Sequence, residues 1–230
     1  MTRAAVVGDI HGAIAPLRAA TAWLQEHWDG PVVFVGDYVN RGPDSYLVME
    51  ELVALSISWG DRLVLLMGNH DLSLLRFVVD DSRSMFLGHG GLQTVRSYLR
   101  GLSVPLGEHP LDAFVEHFPK SHRKLLESMQ FAFETPDLLV THTGFNPEAP
   151  NSRSIEDVVL RSHPALFADA LHTPRPLVVC GHYAQRGGTP YVSERFICLD
   201  SGCGSELGGP LSVLTLPDRR ILSFQEDDDD

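Results

Sequence analysis

The sequence is short of cysteine, short of positive charge and without long apolar runs, and each shortage excludes something. Three cysteines in 230 residues (Cys180, Cys198 and Cys203) are too few and of the wrong parity for a disulfide framework. Lysine and arginine total 18 against 30 aspartates and glutamates, for a formal net charge of −12. A net acidic surface repels polyanions, so neither nucleic acid nor an anionic membrane is expected as a partner. No apolar stretch approaches the ~20 residues that cross a bilayer. Met1-Thr2-Arg3 leads into a strand-like run rather than the apolar core of a secretory leader. A soluble cytoplasmic protein, with a monomer favoured, is the expectation. Repeats, a low-complexity interior and a long linker are missing too. One domain over residues 1–225 is therefore expected, followed by a disordered acidic tail at 226–230, EDDDD.

What is present is an ordinary globular composition, 43% hydrophobic, in a chain long enough to bury a substantial core. Short β-branched or leucine-rich runs at 4–7, 32–35, 63–67, 138–140 and 177–180 read as buried strands. Between them lie helical patterns. Leu17, Ala20, Leu24 and Trp28 repeat at helical spacing and are stopped by Asp29-Gly30-Pro31. Asp44 or Ser45 is placed to cap a helix whose face is Val48, Leu52 and Leu55. Residues 72–79, a segment with Leu92, Val95 and Leu99 on one side, 111–118, a stretch from Ser121 (as cap) to Met129, and 155–170 interrupted at Pro164 also read as helical. Residues 195–199, 211–216 and 221–224 read as strands of a closing sheet. The class is α/β.

The chemistry sits where the apolar runs stop. They end in Asp9 and His11 (GDIHG), Asp37 (GDYVNRG), Asn69 (GNHD), His142 (THTG) and His182 (GH). Ligands at the carboxyl ends of buried strands are how open α/β sheets build sites. Asp9 and His11 are two residues apart and point the same way if the segment is extended. Carboxylate and amide oxygen mixed with imidazole nitrogen suit Mn, Fe or Zn better than Ca or Mg. This is more ligation than one ion needs, and fits two ions sharing a carboxylate at the ~3.5–4 Å separation of two-metal hydrolases.

These stretches, in this order, resemble the motif series of the calcineurin-like metallophosphoesterases, in particular the phosphoprotein phosphatase branch and its small bacterial members. The resemblance covers residues 4–216 and implies a fold: a central β-sandwich of two mixed sheets flanked by helices, in four αββα layers. It implies two divalent metal ions, manganese first, with Fe, Zn, Ni or Co open. Asp9, His11 and Asp37 would hold one ion, and Asp37, Asn69, His142 and His182 the other. His70 would protonate the leaving oxygen, Asn40 would support His70, and Arg41 and Arg161 would clamp phosphate. The implied reaction is attack of a metal-bound hydroxide on a phosphate monoester of a phosphorylated protein or small molecule, as in a serine/threonine or dual-specificity protein phosphatase.

Two departures complicate the substrate. Phosphoprotein phosphatases usually have aspartate at the position of Asn40. An asparagine accepting through its amide oxygen brings no charge, so a lower His70 pKa and weaker acid help are expected. GNHD replaces the commoner GNHE and also resembles the symmetrical diadenosine tetraphosphate hydrolases, so a dinucleoside polyphosphate or other nucleotide hydrolase is the alternative. Two rivals are weaker. Cys180 to Arg186 has the Cys-x5-Arg spacing of thiolate phosphatases, but Tyr183 and Gln185 crowd the phosphate cradle. A pseudophosphatase that only docks partners would not need a complete ligand set. The remaining histidines (His27, His89, His109, His117, His122, His163 and His172) read as surface or loop residues, with His89 a candidate to support the site from its glycine turn.

Overall fold

In the computed structural model, residues 2–168 and 172–225 are described, and the strands among them form two five-stranded sheets. The expected tail at 226–230 lies outside these residues. The first sheet runs in the spatial order β10 (Arg220–Phe224), β9 (Leu211–Leu216), β1 (Ala4–Val7), β2 (Val32–Phe34), β3 (Leu63–Leu65). β1, β2 and β3 are parallel, with Val7 opposite Phe34 and Val33 opposite Val64, while β9 and β10 are antiparallel additions. The second sheet runs β4 (Ala132–Glu134), β5 (Leu138–Thr141), β6 (Leu177–Cys180), β8 (Phe196–Cys198), β7 (Tyr191–Val192), and its three central strands are parallel.

The two-residue period of the strands divides the core into layers. Val6, Val33, Val140, Val179, Ile197 and Leu214 fill the space between the sheets. Val7, Val32 and Phe34 face the other way, into a helical layer. That layer holds α1 (Ile14–His27), α2 (Ser45–Trp59), α3 (Asn69–Asp80), α4 (Arg83–Gly88), α5 (Gly91–Gly101), α6 (Pro110–His117) and α7 (Lys120–Ser128). Their apolar stripes meet around Phe77, Phe86 and Phe114, whose rings stack at centroid distances of 4.8–6.2 Å. The outer face of the second sheet is closed by Phe145 and by Leu166 of a 3₁₀ turn, Pro164–Phe167. Among the described residues no helix is long and apolar enough to cross a membrane.

Several local expectations are corrected. Residues 155–170 do not form a helix: a π-helical turn, Glu156–Leu160, gives way to non-helical backbone and then to the 3₁₀ turn, and 169–171 lie outside the described residues. The carbonyls a helix would use go elsewhere, that of Val158 to the Thr143 N–H and that of Asp157 to His163 Nε2. Pro164 further restrains His163 from helical geometry. Neither Asp44 nor Ser45 caps α2 through its side chain, because Asp44 pairs with Arg100 at 2.6 Å and Ser45 is turned inward. Ser121 lies inside α7, which starts at Lys120. His122 and His163 are buried, not surface residues, and His122 joins Tyr98 (2.9 Å) to Glu50 (2.6 Å). The strands β4 and β7 and the helix α4 are too short to leave a periodic signal.

Candidate metal centre

The ligand-bearing loops leave the carboxyl ends of β1, β2, β3, β5 and β6, so both sheets deliver side chains to one edge of the sandwich. The segment after β1 is a turn and not the extended run expected. His11 has φ +46°, and the N–H groups of Ile10 and His11 both donate to the Asp37 carbonyl, at 3.1 and 2.9 Å. Asp37, Asn40, Arg41 and His182 also sit at positive φ, between +57° and +69°. Non-glycine residues pay roughly 1–2 kcal/mol each for this region, and such strain gathers at functional sites. Gly36 (φ +109°) packs where a Cβ would stand 2.5 Å from the Gly68 nitrogen, and a Cβ on Gly181 would overlap Asp9 Oδ1. Both positions therefore demand glycine if the loops are to meet.

Asp71 buckles the loop after β2 to the start of α3. It is fully buried, and its carboxylate accepts the backbone N–H groups of Asp37 (2.7 Å), Tyr38 (2.9 Å) and Gly68 (3.0 Å). Burial, reinforced by the nearby Asp37 charge, pushes its pKa up to about 7 against the pull of those donors.

Around this frame the candidate ligands converge. Asp37 Oδ2 lies 3.6 Å from His11 Nε2, 3.9 Å from His70 Nε2 and 3.4 Å from His142 Nε2. Asn69 Oδ1 lies 3.0 Å from His142 Nε2 and 2.9 Å from His182 Nδ1. The carboxylate of Asp9 accepts the His182 backbone N–H at 3.0 Å. Two clusters result, His11–Asp37–His70 and Asp37–His142–His182, with Asp37 common to both. The far ring nitrogens are occupied: His11 Nδ1 meets the Val39 carbonyl, His142 Nδ1 the Val35 carbonyl (each 3.0 Å), and His182 Nε2 the Ser162 hydroxyl (2.8 Å). Such partners leave the inward nitrogens as lone-pair donors.

The donor set fits cations. His11 Nε2 and one oxygen of Asp200 are buried without a hydrogen-bond partner. Burial pushes His11 down to about 4 and His182 down to about 3, so both are neutral ligands near pH 7. Burial would also lower His142, but Asp37 outweighs it and raises that histidine. Asp37 is pushed up by burial yet held well below the usual carboxylate range by His142, His70 and His11. Burial, followed by the charges of Asp200 and Asp37, raises Asp9 well above it. Crowded carboxylates in a dry site are costly until a cation balances them.

His70 is 4% exposed, and burial pushes it down to about 3. Its Nε2 lies 3.4 Å from the Arg41 guanidinium, and its ring stacks on His89 with centroids 4.8 Å apart. At Nδ1 it meets Asn40 Nδ2 at 3.0 Å, while Asn40 Oδ1 is taken by the Thr94 hydroxyl at 2.7 Å. Asn40 thus donates to His70, where the sequence suggested that it would accept. Arg41 and His70 line a cleft of about 1100 Å³ walled by Gly88, Gly90, Gly204 and Leu207. Arg161 is exposed and outside that lining, and its neighbour Ser162 touches His182. Asp71, Thr94, Ser162 and Asp200 were missed in the sequence. Most of their partners lie far along the chain, and only Asp71 fell inside a motif, as the last residue of GNHD, with no role assigned to it. Cys180 is fully buried in β6, facing Cys198 of β8, and burial raises its thiol well above the usual range. That removes it as a thiolate nucleophile.

Comparison with known proteins agrees with this geometry. The model of the calcineurin-like phosphoesterase family matches residues 2–210. Symmetrical bis(5'-nucleosyl)-tetraphosphatases of Burkholderia thailandensis and Burkholderia pseudomallei are 46% and 44% identical over 68 residues, 30% of this chain. The match spans only 23% of those relatives' length. A candidate diadenosine tetraphosphatase of known structure superimposes with a TM-score of 0.63 at 24% identity, covering 96% of this chain and 92% of its own. A Saccharomyces cerevisiae protein serine/threonine phosphatase does so at 0.55 and 15% identity, covering 100% and 81%. At these identities the structural likeness speaks for the fold, two mixed sheets with flanking helices. With the family match running almost the length of the chain, and the clustered aspartates, asparagine and histidines falling inside it, the protein belongs to the calcineurin-like phosphoesterases.

Proposed function

We propose that the protein is a dinuclear-metal phosphoesterase whose best substrates are phosphoanhydrides of the dinucleoside polyphosphate kind. The observation that supports the dinuclear part is Asp37, whose carboxylate serves two histidine clusters at once. Asp9, His11 and Asp37 would hold one cation, and Asp37, Asn69, His142 and His182 the other. Bound cations of this kind lower the pKa of water and neutralise phosphoryl oxygens. Manganese is the first choice for such a mixed donor set, with Fe, Zn, Ni or Co as alternatives. Arg41 holds phosphoryl oxygens by a charge-assisted contact, and its approach to His70 places both side chains over one reacting group. Arg161 is the second clamp, brought in from the His182 side.

The substrate follows from Asn40 and the cleft. With an amide N–H₂ against His70 there is no carboxylate to support a strong general acid, so a leaving group that is already a stable anion is favoured. The cleft of about 1100 Å³ has room for a nucleotide beside the reacting phosphate. The named relatives point to the same class. A serine/threonine or dual-specificity protein phosphatase is the second reading, favoured by the GDYVNRGPDS stretch. A panel of diadenosine tetraphosphate, phosphoserine and phosphotyrosine peptides and p-nitrophenyl phosphate, run with Mn²⁺ and with EDTA, separates them. We expect kcat/KM for the dinucleotide to exceed that for either peptide by at least about tenfold, one unit of transition-state preference near 1.4 kcal/mol. Peptide preference would reverse the substrate assignment, and full turnover in EDTA would remove the metal assignment.

Metal binding should also be acid-labile. Ligation needs an ionised Asp9 and a neutral His142, whose pKa values are both raised, so lowering the pH makes protons compete with the cations there, while His11 and His182, near 4 and 3, stay neutral. The rise in Tm on adding Mn²⁺ is expected to be large at pH 7.5 and to shrink by pH 5.5. A rise independent of pH would mean that the ions bind elsewhere.

A further inference from the structure

β8 ends at the same edge as the five ligand-bearing strands, and it too is followed by an acid. It runs parallel to β6, with Cys198 opposite Cys180. His182 comes two residues after Cys180, and Asp200 two residues after Cys198, so both leave neighbouring strands at the same level. The Leu199 N–H donates to the Cys180 carbonyl at 2.8 Å, and the Gln185 N–H to the Asp200 carbonyl at 2.9 Å, which ties the two segments together past the strand ends. The other neighbour is the loop after β1. A Cβ on Gly8 would stand 2.8 Å from the Leu199 carbonyl oxygen. One on Gly204 would overlap the His11 carbonyl oxygen and lie 2.6 Å from that of Ile10. Residues 199–204 therefore rest on residues 8–11, the segment that carries Asp9 and His11.

Asp200 is 1% exposed. Its Oδ1 accepts the Gly202 N–H at 2.9 Å, which serves the local turn, but its Oδ2 is buried with no hydrogen-bond partner. His11 Nε2, on the segment beneath, is a second such atom. A carboxylate oxygen taken out of water and left unpaired is costly unless a cation or a donor meets it. After burial itself, Asp200 is the strongest influence raising the Asp9 carboxyl, ahead of Asp37.

We propose that Asp200 is a further residue of the first cation's site, its free Oδ2 reaching the ion of Asp9, His11 and Asp37 through a bridging water. The assignment rests on the dinuclear phosphoesterase reading above and adds a residue to it. No protein group lies within hydrogen-bond range of Oδ2, and a water spans such a gap. That water donates a hydrogen bond to the carboxylate and turns its lone pair to the cation. The first ion is assigned one protein ligand fewer than the second, so it has the more room for water. Asp200 also adds a negative charge against two divalent ions whose histidine ligands bring none.

Asp200→Asn is the test, since its amide oxygen keeps the Gly202 N–H while an N–H₂ replaces Oδ2 and cannot accept from the water. Mn²⁺ affinities are measured by calorimetry on the full chain, and bound metal is counted after gel filtration. One ion should bind roughly 10–100-fold more weakly and the other as in the wild type. In EDTA the Tm should match the wild type, while the Mn²⁺-induced rise shrinks. Two backgrounds identify the ion. With the second site removed by His182→Ala, Asp200→Asn should weaken the remaining ion by the same factor. With the first site removed by His11→Ala, it should change nothing. Unchanged affinities, an effect that persists in His11→Ala, or a Tm that falls as far in EDTA as in Mn²⁺ would each overturn the role of Asp200 and leave the two-metal reading standing. Should Asp200→Asn fail to fold, wild-type crystals grown with Mn²⁺ decide. Oδ2 is then expected about 2.5–3.0 Å from a water on the ion held by His11, and an Oδ2 turned to a protein donor overturns the role. A wild-type protein that binds no Mn²⁺ would overturn the two-metal reading itself, and the role of Asp200 with it.

Discussion

Asp37→Asn is expected to cost both metal ions at once and with them nearly all hydrolysis. The Asp37 carboxylate sits within 3.9 Å of His11, His70 and His142, and it alone belongs to both clusters. His11→Ala and His182→Ala each touch one cluster only, so each should leave about one bound ion. A cation pair contributes several kcal/mol of charge stabilisation, and at 1.36 kcal/mol per tenfold in rate the loss for Asp37→Asn is on the order of 10³-fold or more. Metal content after gel filtration and kcat/KM on p-nitrophenyl phosphate measure the two parts. An Asp37→Asn protein that keeps two ions, or a His11→Ala protein that loses both, would contradict the shared-carboxylate arrangement.

The second large effect is on stability. Asp71→Ala removes one carboxylate and strands three buried backbone donors, those of Asp37, Tyr38 and Gly68. A buried donor left without a partner costs about 1–3 kcal/mol, and the three are not additive, so a net loss on the order of 4 kcal/mol is expected. Against a total stability of roughly 5–15 kcal/mol, this brings the protein close to unfolding. Urea denaturation in EDTA should show the midpoint falling at unchanged slope, and a loss below about 1 kcal/mol would mean that water replaces the carboxylate. Asp71→Asn should be intermediate, because its amide oxygen keeps one acceptor while its N–H₂ faces other donors.

The contrast between these two aspartates shows what could be read in the sequence. Asp37 announces itself: it follows an apolar run, sits between glycines, and has counterparts at the ends of four other runs. Strands β1, β2, β5 and β6 were legible for the same reason, since a fully buried parallel strand is a bare apolar block. Asp71 is visible as the last residue of GNHD, but its role is not. Its partners are backbone N–H groups up to 34 residues away, and backbone donors carry no sequence identity. Thr94 and Ser45 are ordinary helix residues until α2 and α5 pack and bring them together, 49 residues apart in the chain. The direction of the Asn40 contact was misread because an amide can present either end, and here its oxygen meets Thr94. The false helix at 155–170 has a similar origin. Local apolar spacing was right for a helix, but Asp157 and Val158 spend their carbonyls on His163 and Thr143, contacts that only tertiary structure supplies.

The left-handed backbone at His11, Asp37, Asn40, Arg41 and His182 has a consequence for how this sequence can change. Glycine enters that region without the Cβ clash the present residues bear. Selection for thermal robustness alone would therefore find easy gains at the very positions that do the chemistry. Mutational drift toward a hardier fold and drift toward a dead enzyme begin along the same path. Directed evolution for heat resistance must screen turnover in every round, or it will harvest glycines from the active edge first.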